Sequence, residues 1–223
     1  MRRLRDNGLS LFFGTLFLLA LVGQAVSGLA VYNNEQLGTG GEPVSIWAYV
    51  ASSSFAVDVA ENWQSEYLQF LLMVVATVWL VQRGSTESKP PEDVGRETAK
   101  QQKIGRYADQ SSPRWAKVGG WRTSVYSNSL ALAMGLIFAC SWLVQSVAGR
   151  AAYNAEQIAE LSDPVSWTGY LTSADFWNRT LQNWQSEFLA VASMVLLSIY
   201  LRQRGSPESK PVGAPHDSTG VEG

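Results

Sequence analysis

Apolar residues occur in four long runs, and polar and charged residues fill the segments between them. The runs lie at about Leu9–Val31, Gln64–Val81, Ser129–Ala152 and Gln185–Leu201. Each approaches the roughly 20 residues that a helix needs to cross about 30 Å of hydrocarbon. The runs are continuous and lack the alternation of barrel strands, so the pattern predicts four membrane-spanning helices.

The first run has an alternative interpretation as a cleaved signal peptide, because Arg2, Arg3 and Arg5 precede it and small residues lie near its end. A signal peptide usually has an apolar region of about 7 to 15 residues, and this run is longer. An internal copy of the same segment also lies where no signal peptide can act. We therefore favour a retained helix.

Positive charges are distributed unevenly around the four runs. Of the 17 Lys and Arg residues, all but Arg150 and Arg179 lie before the first run, between the second and third, or after the fourth. Lys and Arg accumulate on the cytoplasmic side of a membrane protein. The distribution predicts that both termini and the central loop are cytoplasmic.

The chain contains an internal repeat without gaps. Residues 7–90 align with residues 128–211 at an offset of 121, and 36 of the 84 aligned positions are identical. YNNEQ returns as YNAEQ, NWQSE returns unchanged, and QRGSTESKP returns as QRGSPESKP. Because two spans separate equivalent helices, both copies cross the membrane in the same direction.

These patterns predict an all-α integral membrane protein of four transmembrane helices, arranged as two tandem parallel-repeat hairpins. The first hairpin covers residues 1–90, a disordered cytoplasmic linker 91–121, the second hairpin 122–211 and a disordered tail 212–223. The linker and tail are polar and charged, which is typical of disorder. Each outer loop is predicted to hold a short interfacial helix, capped by Ser45 in one copy and Ser166 in the other.

Composition adds mainly exclusions. Hydrophobic residues make up 46% of the chain, and a mean hydropathy of −0.03 conceals their clustering. A net charge of −2 argues against a chain that coats nucleic acid. With one cysteine, Cys140, and one histidine, His216, the sequence predicts no metal site and no cofactor. It also offers no nucleophile and base pair and no P-loop, so we expect no enzyme activity.

Polar residues shared by both copies form the candidate site. They lie on shared helix faces or near the outer helix ends, where they are predicted to form one cluster: Glu35, Glu66, Glu156, Glu187, Asn62, Asn183, Gln24 and Gln145. Ionisable residues at membrane depth are candidates for cation binding or proton relay. The alternative is a structural role. In that case the carboxylates near helix starts stabilise the helix ends, and the glutamines form hydrogen bonds between helices. Glu61 is a weaker candidate because the second copy has Gln182 at the equivalent position.

The RGSxESK segments follow directly on the second and fourth runs. Their basic residues are candidates for contact with lipid or a cytoplasmic partner: Arg83, Lys89, Arg204 and Lys210. We expect the lipid bilayer and either a second copy or another membrane protein as partners, and no nucleic acid.

The combination of YNxEQ, NWQSE and QRGSxESK resembles a family of uncharacterised bacterial integral membrane proteins, a domain of unknown function. The resemblance implies a protein of the bacterial plasma membrane and no particular reaction. Many similar sequences carry NWESE where this chain has Gln64 and Gln185. We expect a structural or envelope-associated role; the alternative is a small proton or cation channel or transporter that uses the outer carboxylates.

Overall fold

The computed structural model describes residues 6–221, which form helices, turns and loops and contain no strand. The prediction of an all-α chain is confirmed for this range. Arg2, Arg3 and Arg5, which contribute to the predicted orientation, lie outside it. In chain order the α-helices of the described residues are α1 Gly8–Gly38, α2 Ile46–Val50, α3 Ser53–Ala76, α4 Arg114–Val118, α5 Gly120–Ser127, α6 Ser129–Ala159, α7 Trp167–Leu171 and α8 Ala174–Tyr200.

Within the described residues, α1 and α6 are the two helices long and apolar enough to cross a membrane, judged by length and composition. Each has 31 residues, and at about 1.5 Å per residue each is about 46 Å long. The predicted spans at 9–31 and 129–152 therefore end before their helices do. The helices continue through the YNxEQ motif, whose polar side chains hide the helical continuation from a hydropathy pattern.

The C-terminal ends of α1 and α6 share one backbone geometry. Gly41 N–H donates to Gln36 O at 2.7 Å, and Ser162 N–H donates to Gln157 O at the same distance. This closure requires a left-handed residue just before the donor. Gly40 provides it in the first copy, with φ at 79°, whereas the second copy has Leu161 there, with φ at 59°.

Helices α3 and α8 begin well before the apolar runs that predicted them. Ser52 Oγ accepts from Phe55 N–H at 3.3 Å, and Ser173 Oγ accepts from Phe176 N–H at 3.2 Å, so a shared serine caps each helix start. Each helix includes the polar NWQSE segment. Any part of α3 or α8 that is long enough to cross a membrane must include the NWQSE segment. The polar residues of that segment lower the mean hydropathy of the stretch.

The second predicted span, 64–81, is only partly α-helical, because α3 ends at Ala76. Beyond it, Val78 N–H and Trp79 N–H donate to carbonyls three residues earlier, at 3.3 and 3.0 Å. The Thr77 hydroxyl also donates to Met73 O at 2.7 Å. The helix therefore tightens into a turn at its end. The predicted fourth span, 185–201, ends with α8 at Tyr200.

A short helix occurs in each loop that the sequence predicts to lie outside the membrane, as expected. Ser45 Oγ accepts from Ala48 N–H at 3.3 Å at the start of α2, and Ser166 Oγ accepts from Gly169 N–H at 3.1 Å at the start of α7. The structure confirms both caps. Each loop is shorter than the sequence suggests, because α1, α3, α6 and α8 extend into it.

The linker and tail, expected to be disordered, carry local structure. Pro91–Asp93 and Gly105–Tyr107 form single 3-10 turns, and α4 and the first residues of α5 fall within 91–121. Tail residues 214–220 bond to backbone and side chains near the ends of α3 and α8. Short turns and single hydrogen bonds leave little trace in composition, which is why the sequence does not show them.

The chain divides into two compact units. The first unit contains the described residues up to Ala60 together with Leu143–Phe176, and the second contains Glu61–Trp142 together with the described residues from Trp177 onward. Each unit includes residues from both copies of the repeat. The hairpin boundaries at 90 and 121 therefore remain sequence predictions.

Candidate functional site

In the first unit, an asparagine of each YNxEQ motif clamps the loop that follows its helix. Asn33 Oδ1 accepts from Val44 N–H at 2.8 Å, and its Nδ2 donates to Val44 O at 3.1 Å. Asn154 makes the same two bonds with Val165, at 2.9 and 3.0 Å. Each side-chain amide thus bonds to both the N–H and the C=O of one loop residue, as a neighbouring peptide group would in a strand. These residues position the loop and α2 or α7.

A glycine in each copy provides room for a buried tyrosine of the first unit. Tyr49 is 3% exposed and Tyr170 is fully buried. A Cβ atom on Gly28 would overlap the Tyr49 hydroxyl, and one on Gly149 would overlap the Tyr170 hydroxyl. The glycines are therefore explained by a tyrosine that packs on the helix backbone.

Other aromatic rings surround these two tyrosines. Tyr49 has Tyr32 and Phe55 at centroid distances of 5.4 Å each. Tyr170 is surrounded by Tyr153 at 5.6 Å and Phe176 at 5.5 Å. Such contacts add roughly 0.5 to 1.5 kcal/mol per pair beyond burial. The shared tyrosines of YNxEQ thus belong to a packed cluster.

The two tyrosine hydroxyls have different surroundings. Tyr170 Oη donates to Asp175 Oδ2 at 3.1 Å. Burial raises the pKa of Tyr49, and the negative charges of Asp58 and Glu35 raise that pKa further. The Tyr49 phenol therefore remains a protonated donor near neutral pH.

In the second unit, the NWQSE motifs of α3 and α8 bond to each other. Trp184 Nε1 donates to Gln64 Oε1 at 2.8 Å, and Gln64 Nε2 donates to Glu61 O at 3.1 Å. Gln64 is fully buried, whereas its repeat equivalent Gln185 is exposed. Identical motifs therefore have different roles in the two copies.

An ion pair lies beside this contact. Arg179 Nη1 donates to a Glu61 carboxylate oxygen at 3.1 Å, and the side chains are 33% and 16% exposed. The sequence ranks Glu61 low because the repeat has Gln182. A second difference between the copies indicates the ion pair better: the second copy has Arg179 where the first copy has Asp58, so it carries a positive charge that can pair with Glu61. Together, Glu61, Gln64, Arg179 and Trp184 form what we call the clasp.

The eight residues predicted to form one polar cluster are divided between the two compact units. Glu35, Glu156, Gln24 and Gln145 belong to the first unit, and Glu66, Glu187, Asn62 and Asn183 belong to the second.

Within the first unit, Glu35 and Glu156 are exposed, Gln24 is half-buried and Gln145 is fully buried. In the second unit, Glu66 is exposed and Glu187 half-buried, and their carboxylates are near enough to interact electrostatically.

The two asparagines of the predicted cluster make local contacts. Asn183 Nδ2 donates to Arg179 O at 2.9 Å, and the exposed Asn62 accepts at its carbonyl from Ser65 Oγ at 2.8 Å. Both contacts lie within a single helix. They organise the NWQSE segment.

The QRGSxESK motif folds into the same turn in both copies. Ser88 Oγ accepts from Gln82 N–H and Ser209 Oγ accepts from Gln203 N–H, each at 2.9 Å. Gly84 and Gly205 have φ values of 86° and 82°, in the left-handed region that favours glycine. The motif is therefore explained by a turn that bonds to itself.

The four basic residues predicted to contact lipid or a partner have different environments. Arg83 and Arg204 are exposed. Lys89 Nζ donates to Gly95 O at 2.9 Å and pairs with Glu97, which lowers the pKa of Glu97. Lys210 is 1% exposed, which does not fit the predicted external contact.

Lys210 is held in a cage of backbone carbonyls. Its Nζ donates to Gly84 O at 2.7 Å, His216 O at 2.8 Å and Ser218 O at 3.3 Å. Burial lowers the pKa of Lys210, and the positive charge of Arg202 lowers that pKa further. Lys210 thus joins both repeat turns to the tail.

No group of three or more His, Cys, Asp or Glu residues within 6–221 is arranged to hold a metal ion. Cys140 is exposed and makes no disulfide.

A family model described as a domain of unknown function matches residues 1–221. No curated protein and no solved structure matches the chain.

Proposed function

The chain belongs to the family Domain of unknown function (DUF6766), and on that premise we propose that it is a non-enzymatic structural component of the bacterial envelope. In this proposal it lies in the plasma membrane as a multi-pass protein with cytoplasmic termini. The lipid bilayer surrounds it, and a second copy or another membrane protein is its partner.

Four spans are proposed, one in each of α1, α3, α6 and α8. The apolar length of α1 and α6 supports two of them. The apolar C-terminal halves of α3 and α8, which follow NWQSE in both copies, support the others. Lys and Arg accumulate at the ends assigned to the cytoplasm, in agreement with the positive-inside rule.

The observation that carries the structural role is the clasp. Its polar side chains bond to one another: Gln64 to Trp184 and Glu61 to Arg179. Side chains that satisfy each other inside a helical protein fix helix positions and do not need a substrate. The clasp therefore favours a scaffold whose two copies are held in one arrangement.

Cysteine labelling tests the proposed topology. In a Cys140→Ser background, Thr39→Cys and Ser162→Cys place a thiol in each outer loop, and Thr98→Cys places one in the linker. We expect a membrane-impermeant maleimide to label the first two in intact cells and the third only after permeabilisation. Labelling of the Thr98 variant in intact cells would overturn the topology.

The pair Glu66 and Glu187 favours a second candidate function, a proton or cation pathway. Their carboxylates interact and recur in both copies. In this candidate, the carboxylates bind the ion in turn as it crosses the membrane.

Ion flux in proteoliposomes separates the two functions. The structural role predicts no flux above empty vesicles under an imposed proton or Na⁺ gradient. The pathway predicts flux that Glu66→Gln/Glu187→Gln abolishes. Glu35→Gln/Glu156→Gln is the matched control, because it removes two other repeated carboxylates, both exposed.

A further inference from the structure

A cavity of about 580 Å³ lies in the second unit, between linker residues 96–107 and residues 119–128, which lead into α6. Its volume falls within the usual range of ligand sites, about 300 to 1,000 Å³. Its polar lining includes Arg96, Arg106, Ser124, Ser127 and Asn128. We call it the basic cavity.

Aromatic rings hold both arginines of the basic cavity. The Arg96 guanidinium lies 5.7 Å from the centre of the Trp79 ring, and that of Arg106 lies 4.7 Å from the centre of the Tyr107 ring. Arg106 Nη2 also donates to Tyr107 Oη at 2.6 Å. A guanidinium stacked on a ring keeps its N–H donors at its edge, so both groups can donate to a ligand.

The positive charge of the basic cavity is not neutralised by acidic residues in its lining. No Asp or Glu is among the described residues that line it. Within 6–221, Arg96 and Arg106 form no ion pair, whereas nearby Lys89 pairs with Glu97. Two guanidinium groups with hydroxyl and amide neighbours match the oxygens of a phosphate, which accept several hydrogen bonds at once.

The location of the cavity identifies the source of the phosphate. Asn128 immediately precedes α6, one of the two helices with the length and hydropathy of a membrane span. A cavity at the start of a span lies at headgroup level, and basic pockets there suit anionic lipids. We propose that the basic cavity binds the phosphate of an anionic phospholipid in the inner leaflet, an inference that rests on the proposed membrane topology.

Calorimetric titration of the detergent-purified full chain with dioctanoylphosphatidylglycerol tests the proposal. We expect Arg96→Gln/Arg106→Gln to weaken binding about tenfold or more, because two charge-assisted contacts are lost. Arg114→Gln/Arg122→Gln removes the same charge from two arginines that do not line the cavity and should change affinity less than about threefold. Equal losses in both variants, or none in either, would overturn the assignment.

Two further arms identify the ligand. Glycerol 3-phosphate should bind much more weakly than the lipid, and equal affinity would assign the cavity to a soluble phosphate and overturn the lipid proposal. Arg96→Lys/Arg106→Lys keeps the charge but loses the planar fork, and we expect an intermediate affinity. An unchanged thermal transition in each variant establishes folding.

Alkaline extraction of cell membranes tests the premise separately. Wild type and all variants should stay in the pellet if the chain spans the membrane. Release of the wild type would defeat the proposed function. Retention combined with unchanged lipid affinity in Arg96→Gln/Arg106→Gln would defeat only the lipid site.

Discussion

Trp184 donates its indole N–H to the side chain of Gln64 across 2.8 Å, although the two residues stand at different positions of a motif that the chain carries twice. The reciprocal residues, Trp63 and Gln185, are both exposed. The duplicated sequence therefore forms an asymmetric contact, and the asymmetry can be measured.

Removing the Gln64 amide should destabilise the protein. Gln64→Ala leaves the half-buried Trp184 N–H without its Gln64 acceptor, at an expected cost of about 1 to 3 kcal/mol. Gln185→Ala, the control at the exposed equivalent, should change stability by less than about 0.5 kcal/mol. Unfolding of the detergent-solubilised chain by circular dichroism gives both values, and equal effects would disprove the asymmetry.

The Glu61 and Arg179 ion pair should show coupling in a double-mutant cycle. Glu61→Gln and Arg179→Gln each remove one charge of the half-buried pair, and we expect a coupling energy of about 1 kcal/mol. The exchange Glu61→Arg/Arg179→Glu should recover part of the stability. A coupling energy near zero would show that the pair is only a surface contact.

Gly28→Ala should destabilise through a clash with the Tyr49 hydroxyl, at an expected cost of about 1 to 3 kcal/mol. Adding Tyr49→Phe removes the atom that clashes most and should restore much of the loss. Gly23→Ala is the control, because the space around Gly23 is open. That change should stabilise α1 by up to about 1 kcal/mol.

Leu161→Gly should stabilise the protein. Leu161 is 97% exposed with φ at 59°, and Gly40 occupies the equivalent position in the first copy. A left-handed conformation costs a side-chain-bearing residue about 1 to 2 kcal/mol, so we expect a gain of about 1 kcal/mol. Gly40→Leu should lose a similar amount in the same thermal assay. A loss of stability in Leu161→Gly, or a gain in Gly40→Leu, would contradict the shared geometry.

Lys210 should make stability depend on pH in alkaline solution. Burial lowers the pKa of Lys210 in the folded chain below its unfolded value of about 10.4. Between these two pKa values the unfolded chain binds more protons, so the Lys210 contribution to stability rises with pH there and is constant below.

The free energy of unfolding of wild type minus that of Lys210→Met isolates this contribution. We expect the difference to increase with pH in the alkaline window. A flat difference for Lys210 would mean that the side chain is solvated.

The sequence predicts the helices well but does not predict the contacts of the clasp. Apolar runs locate α1 and α6, and Ser45 and Ser166 are recognisable as caps because their side chains bond locally. The N-terminal halves of α3 and α8 are missed, since their polar residues satisfy each other in tertiary contacts. Arg179 and Glu61 are missed because a repeat comparison emphasises positions that both copies share.

Periodicity, repeated motifs and local caps depend on neighbours along the chain. For that reason the amino-acid sequence alone predicts a helical, duplicated chain built around two strongly apolar helices. Three-dimensional packing alone explains why Gln64 is buried while Gln185 is exposed, and why Lys210 is enclosed while Lys89 is half-buried. Identical motifs acquire different environments because burial and hydrogen bonding depend on residues distant in sequence, which the two copies do not share.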